Sequence, residues 1–191
     1  PIVLYVIIFI VGFLTGVAFT VYKSDPPASQ TASSGGESDH NHPEDNETAK
    51  AILSLEAEVT KDPENHQAWT RLGHLYYDSQ QPQKAIGAYT KSLELMPGDA
   101  NVLTDLGVMY RRSNQPQKAI EAFDQAIASD SSHQPARFNK GIVLLFDLNQ
   151  PDEALASWEE ILVINPDAKT ADGSPLREFI EKVKADLNTQ N

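Results

Sequence analysis

The sequence predicts an all-α fold: a stack of three helical hairpins with further helices at both ends. Two observations carry this. The segment Gln81-Pro82-Gln83-Lys84-Ala85-Ile86 returns 34 residues later as Gln115-Pro116-Gln117-Lys118-Ala119-Ile120, and Asn149-Gln150-Pro151-Asp152-Glu153-Ala154-Leu155 follows after 35. A fixed period of that length is the mark of a solenoid, in which each unit buries its apolar face on its neighbours. Apolar and small residues around the repeated segment also recur at helical spacing rather than in alternation.

The first element is Ile2–Tyr22, 21 residues without a charge. About 20 apolar residues cross the hydrocarbon core. Tyr5 and Tyr22 suit the two interfaces, and Lys23 closes the span. A signal peptide has a shorter apolar core and a small-x-small cleavage site. Residues 1–22 therefore read as an uncleaved transmembrane anchor. Within it Gly12, Gly16 and Thr20 fall four apart on one face. That pattern permits close packing on a second copy, giving a dimer, or on another membrane protein. After Lys23 no Lys or Arg occurs until Lys50, so the flank lacks the basic residues of a cytoplasmic side. This places the C-terminal domain in the periplasm of a bacterial inner-membrane protein. The absence of cysteine permits that compartment.

Residues 23–46 are rich in Ser, Pro, Gly, Asn and Asp, too polar to support a core. They predict a disordered linker with a root-mean-square reach of roughly 25 Å. Asp39-His40-Asn41-His42-Pro43-Glu44 has donors that could hold a divalent ion weakly. Its composition favours a plain tether, and neither metal nor cofactor is expected.

The repeat domain is expected over residues 47–188, as about eight helices without strands. Glu47–Lys61 opens it with Ala51, Ile52, Leu55 and Val59 on one stripe, as a lone first helix or a decayed half-repeat. The hairpins follow at about 66–99, 100–133 and 134–168. In each, a glycine (Gly73, Gly107, Gly141) falls where the first helix must approach its mate. Ala85, Ala119 and Ala154 do the same from the second helix. Tyr76, Tyr89, Tyr110, Phe123 and Trp158 are the large knobs between them. Pro82, Pro116 and Pro151 suit the first helical position, while Pro97 and Pro166 cannot continue the preceding helices. The third repeat carries one extra residue between Gly141 and Ala154, which predicts a longer turn. Its Arg137 and Lys140 stand where apolar residues are expected and predict less regular packing. His66, His74 and His133 read as helix-surface residues. Ser174-Pro175 predicts a cap and a first-turn proline for a last helix, 175–188, whose stripe of Leu176, Phe179, Ile180, Val183 and Leu187 would close the stack.

The spaced residues Trp69-x2-Leu72-Gly73-x2-Tyr76, then Ala85-x3-Tyr89, then Pro97 resemble the tetratricopeptide repeat (TPR), as do their two later copies. The resemblance implies a protein-binding module whose first helices line a concave groove for peptides. Carried over by position, the groove comprises Gln67, Thr70, His74, Tyr77 and Asp78 from the first hairpin. The second supplies Asn101, Thr104, Val108, Arg111 and Arg112, and the third Phe138, Ile142, Leu145 and Phe146. Arg111 and Arg112 are expected to meet a carboxylate of the peptide. The lysine and asparagine set of the family's chaperone-binding clamp is missing. An anchor, a tether and a short periplasmic array resemble the membrane-tethered TPR subunits of bacterial cytochrome c maturation, which capture C-terminal peptides of apocytochromes. The rival expectation is a structural subunit docked in a membrane complex through the Gly12/Gly16 face.

Charge and motifs narrow the function further. The chain carries 15 Lys and Arg against 27 Asp and Glu, a net of −12. Its only adjacent basic pair in the array is Arg111-Arg112, so a nucleic-acid surface is not expected. No phosphate-binding loop, nucleophile elbow, HExxH or cysteine is present, and no catalytic role is expected.

Overall fold

The computed structural model describes residues 43–189, with side chains from residue 46. The expected anchor, the Gly12, Gly16 and Thr20 face and most of the linker lie outside the described residues. Eight helices run α1 (Pro43–Lys61), α2 (His66–Asp78), α3 (Pro82–Leu95), α4 (Ala100–Arg112), α5 (Pro116–Ser129), α6 (Gln134–Phe146), α7 (Pro151–Ile164) and α8 (Leu176–Thr189). The only β feature among the described residues is an isolated bridge between Lys169 and Pro175. None of the described helices is long and apolar enough to cross a membrane.

The hairpins α2/α3, α4/α5 and α6/α7 close through the glycines. A Cβ added at Gly73 would sit 2.5 Å from ring carbons of Tyr89; at Gly107 it would collide with Phe123, and at Gly141 with Trp158. Tyr89, Phe123 and Trp158 are fully buried, as are Ala85, Ala119 and Ala154. Each aromatic thus occupies the volume that its partner glycine vacates.

The hairpin turns share one geometry. Gln80 and Asn114 have φ of 55° and 57°, two residues before the proline that starts the next helix. The backbone N–H of Gln81 donates to Tyr76 O at 2.8 Å, and that of Gln115 to Tyr110 O at 2.9 Å. This is the Schellman closure, which satisfies carbonyls at the helix end. In the third hairpin the left-handed residue is Asn149, and Gln150 N–H reaches back one residue further, to Leu144 O at 2.8 Å. The extra residue is accommodated there, in a turn of four residues.

Between hairpins the links are Asp62–Asn65, Met96–Asp99 and Asp130–His133, all four residues. Helix α1 thus takes the second-helix position of a truncated hairpin. It begins at Pro43, four residues ahead of the helical run expected from Glu47. The Tyr76 hydroxyl donates to Glu56 at 2.5 Å across the α1–α2 contact. Burial, followed by this carboxylate, pushes the Tyr76 pKa up to about 12.

Three expectations need correction. His133 is not a surface residue: its side chain is 10% exposed and its Nε2 lies 2.9 Å from Thr104 Oγ1. It takes the pre-helix position that Asn65 and Asp99 use as caps, but makes no cap bond and bridges the second and third hairpins instead. Arg137 and Lys140 leave α6 an unbroken helix, and each makes an ion pair with a neighbouring helix. Arg137 Nε lies 3.2 Å from Glu160, and Lys140 Nζ 2.6 Å from Asp124. Ser174 does not cap α8. Its N–H donates to Asp172 Oδ1, while Pro175 O accepts from Glu178 and Phe179 and so stands just outside the helix. A polar loop, in which Thr170 and Asp172 are bonded, satisfies these groups locally. Helix α8 then packs Leu176 and Ile180 into the core around Trp158, closing the apolar end of the stack.

Candidate peptide-binding face

Of the hairpins' first helices, α4 packs directly on α6, and α2 meets α4 through side chains, so equivalent positions form rows across the repeats. Two polar side-chain contacts tie the rows together. His74 Nε2 lies 3.3 Å from Asp105 Oδ2, between α2 and α4. Arg111 Nε lies 2.5 Å from Asp147 Oδ2, between α4 and the turn after α6.

On α2, Gln67 and Asp78 are exposed and Tyr77 is half-buried. Thr70 turns inward, bonding His66 O at 3.1 Å and sharing a 2.6 Å contact with Ser92 Oγ. His74 is half-exposed, with its ring edge-on to Tyr89 at 5.6 Å between centroids. On α4, Asn101 is exposed, whereas Thr104 is buried, bonded to Ala100 O and His133. Val108 is half-buried between two core clusters. Arg112 lays its guanidinium 4.6 Å from the centre of the Tyr77 ring. On α6, Phe138 contacts the rings of Trp158 and Phe179, at 6.2 and 5.9 Å, and Ile142 and Leu145 pack into the same cluster. Phe146 stays 65% exposed.

The face is therefore not uniformly available. Thr70 and Thr104 stitch helices together, and Ile142 and Leu145 are partly covered. Gln67, His74, Tyr77, Asp78, Asn101, Arg112, one edge of Phe138 and Phe146 remain presented. Two depressions of about 460 and 470 Å³ flank the Thr170–Ala171 loop, and Phe138 borders both. A larger one, about 700 Å³, lies between α3 and α5 in the layer of second helices and includes none of the expected groove residues.

Electrostatics concentrate around Asp105. Burial raises its carboxyl above the ordinary range; His74 opposes that, and the negative charges of Asp99 and Asp78 reinforce it. Burial also raises the Tyr89 phenol, with the Asp105, Tyr77 and Asp78 charges adding to the effect. The Tyr89 hydroxyl is buried and has no hydrogen-bond partner.

Sequence reasoning missed Asp105, Asp147 and Tyr89 as features of this face. Asp105 follows Thr104 directly, at the position where Arg71 reaches back to Glu58 at 2.8 Å. The repeat register could have found it. Asp147 lies in the lengthened turn, where register is lost. Among the described residues, no group of three His, Asp or Glu side chains is placed to hold a metal.

The family comparison is decisive. The model of the cytochrome c-type biogenesis protein H TPR domain matches residues 31–171. The chain belongs to that family. It is a TPR protein–protein interaction module carrying a cytochrome c biogenesis domain, and scaffolds of this kind are typically non-catalytic. A search of the curated proteins gave no match. Among solved structures, MamA is similar at 26% identity with a TM-score of 0.61, over 65% of this chain and 72% of MamA. The first TPR domain of RPAP3, bound to the HSP90 peptide SRMEEVD, is 21% identical with a TM-score of 0.57, over 66% of this chain and 96% of that domain. The Arabidopsis OM64 TPR domain is 22% identical with a TM-score of 0.53, over 61% and 94%. At those last two identities the likeness concerns the fold alone.

Proposed function

We propose that this protein is a membrane-tethered receptor of the bacterial periplasm. It holds a peptide segment of a client along α2, α4 and α6 during maturation of a c-type cytochrome or assembly of a respiratory complex. The family match over residues 31–171 carries this reading. The geometry supports it, since the rows between Tyr77 and Phe146 keep aromatic and charged groups that the fold does not use up. Arg111 is held by Asp147, so Arg112 is the cation placed to meet a client carboxylate, and Phe138 and Phe146 are placed to meet apolar side chains. Guanidinium–carboxylate contacts are among the stronger hydrogen bonds. The charge-free stretch at residues 2–22 would supply the anchor, with Gly12, Gly16 and Thr20 as its packing face.

Affinity capture from solubilised membranes tests this, using the full chain and a chain lacking residues 1–42. A receptor retains a cytochrome-type client without the span. Loss of every partner on removing the span would instead identify a structural subunit docked through its transmembrane helix.

A further inference from the structure

We propose that the layer of second helices carries a docking seat for an acidic amphipathic helix of a second protein, formed by the two hollows that flank α3 and by the bare crest at Gly87 between them. This occupant is distinct from the client received by the first helices, so the seat adds a partner to the reading above.

The two hollows are one feature repeated. One, of about 330 Å³, lies between α1 and α3, and the other is the hollow of about 700 Å³ between α3 and α5. Every residue bordering the first has its counterpart 34 positions later bordering the second: Trp69 and Leu72 become Leu103 and Leu106, and Tyr76 becomes Tyr110. The stack does not impose this. In the next interval Arg137 and Lys140 stand at the Leu103 and Leu106 positions, and they pair with Glu160 on α7 and Asp124 on α5. Two intervals are thus floored by apolar side chains, and the third is bridged by ion pairs.

Gly87 lacks the packing reason that Gly73 and Gly107 have. It is exposed in the interior of α3, and a Cβ there would meet nothing within 4 Å. Glycine is unfavourable inside a helix, and the same position holds Glu121 in α5 and Ala156 in α7. Local choices that weaken the fold gather where function requires them. At about 100° per residue, Gly87 stands midway between Lys84, which borders the first hollow, and Thr90, which borders the second. A crest without a side chain lets a second helix approach closely. A helix is about 10 Å across, and seven residues of helix advance about 10.5 Å, so apolar side chains seven apart on a crossing helix reach one hollow each. The rims set the sign of the partner. Lys84 and Lys118 lie at equivalent positions, 5.2 and 5.5 Å from the centres of the Tyr76 and Tyr110 rings, and neither has a carboxylate partner among the described residues. Of the rim carboxylates, Glu56 accepts from Tyr76 and Glu94 from Lys91, which leaves Glu121 against two lysines. Carboxylates flanking the apolar side chains of the partner helix would meet those lysines.

The test is fluorescence anisotropy of a labelled peptide with the full chain in phosphatidylglycerol nanodiscs, whose negative charge keeps an acidic peptide off the lipid. The probe is the blocked peptide Glu-Ala-Ala-Leu-Ala-Ala-Ala-Glu-Ala-Ala-Leu-Ala-Ala-Ala-Glu, and its control has alanine for both leucines. The seat requires the leucine peptide to saturate at a concentration about tenfold lower than the control. Gly87→Gln should abolish binding while holding or raising Tm, because glutamine is the better helix former. Lys84→Glu should weaken binding several-fold, and Lys182→Glu, an equal charge change on α8, should leave it intact. Equal affinity for wild type and Gly87→Gln, equal affinity for the two peptides, or no saturable binding would each overturn the seat. Loss of binding in Phe146→Ala would overturn it by placing the peptide on the first helices. Dissociation of a wild-type oligomer by Gly87→Gln, with no peptide bound, would overturn it in favour of a second copy of the chain.

Discussion

Gly107 has no room for a side chain, because the Phe123 ring occupies the space where its Cβ would stand. Gly107→Leu should destabilise the domain by about 1–3 kcal/mol, since the ring is fully buried and cannot give way. Urea denaturation measures this, and an unchanged midpoint would remove Gly107 from the hairpin contact. Gln80 is the residue least suited to its backbone, at φ 55°, where the later repeats use Asn114 and Asn149. Asparagine tolerates that region better, so Gln80→Asn should raise Tm slightly. Asp105 makes a pH-dependent prediction. Its folded pKa is raised, so ionisation costs the folded state free energy near pH 7, and the cost fades as pH falls through the raised value. Asp105→Asn should therefore be no less stable than wild type at pH 7, and wild type should gain on it as pH falls through the raised value. Tm against pH for both chains decides it. A wild-type advantage largest at pH 7 would contradict the assignment.

At the scale of elements, the regular parts of the fold were legible because one residue type recurs for one physical reason. Gly73, Gly107 and Gly141 mark the close contacts, and the three prolines after the turns mark helix starts. The groove was legible as positions but not as availability. Thr70 and Thr104 share a position in the period, and both face inward, because Ser92 and His133 offer them partners from elsewhere in the chain. The first pairing depends on how a hairpin closes and the second on how hairpins stack, neither of which the period encodes. The start of α8 lies one residue beyond the expected Pro175, because Pro175 O accepts the first helical bonds and Ser174 is held in the loop by its N–H bond to Asp172. Arg137 departs from the pattern set by Trp69 and Leu103, and α6 remains regular because Glu160 pairs with it. Its Nη1 is nevertheless buried without a partner. Glu160 is 64% exposed, so removing its partner strands no buried charge, and the cost that usually follows breaking a buried pair does not arise. Arg137→Leu should therefore hold or raise Tm in differential scanning calorimetry, whereas a fall of several degrees would mean that the guanidinium is essential to the third hairpin.

For the molecule as a whole, the central claim is that a client segment lies across the first helices rather than in the larger hollow between α3 and α5. The stack gives each face a different character. The first-helix face combines aromatic rings, one available arginine and an acidic cluster, whereas the hollow is floored by residues such as Leu103 and Leu106 that already belong to the core. Site-specific photo-crosslinking in native membranes separates the two faces most directly. A photoreactive residue is placed at Tyr77 or Phe146 on one face, and at Gln125 on the other. The account requires a client adduct from positions 77 and 146 and none from position 125. An adduct from position 125 alone would place recognition on the second helices and contradict it.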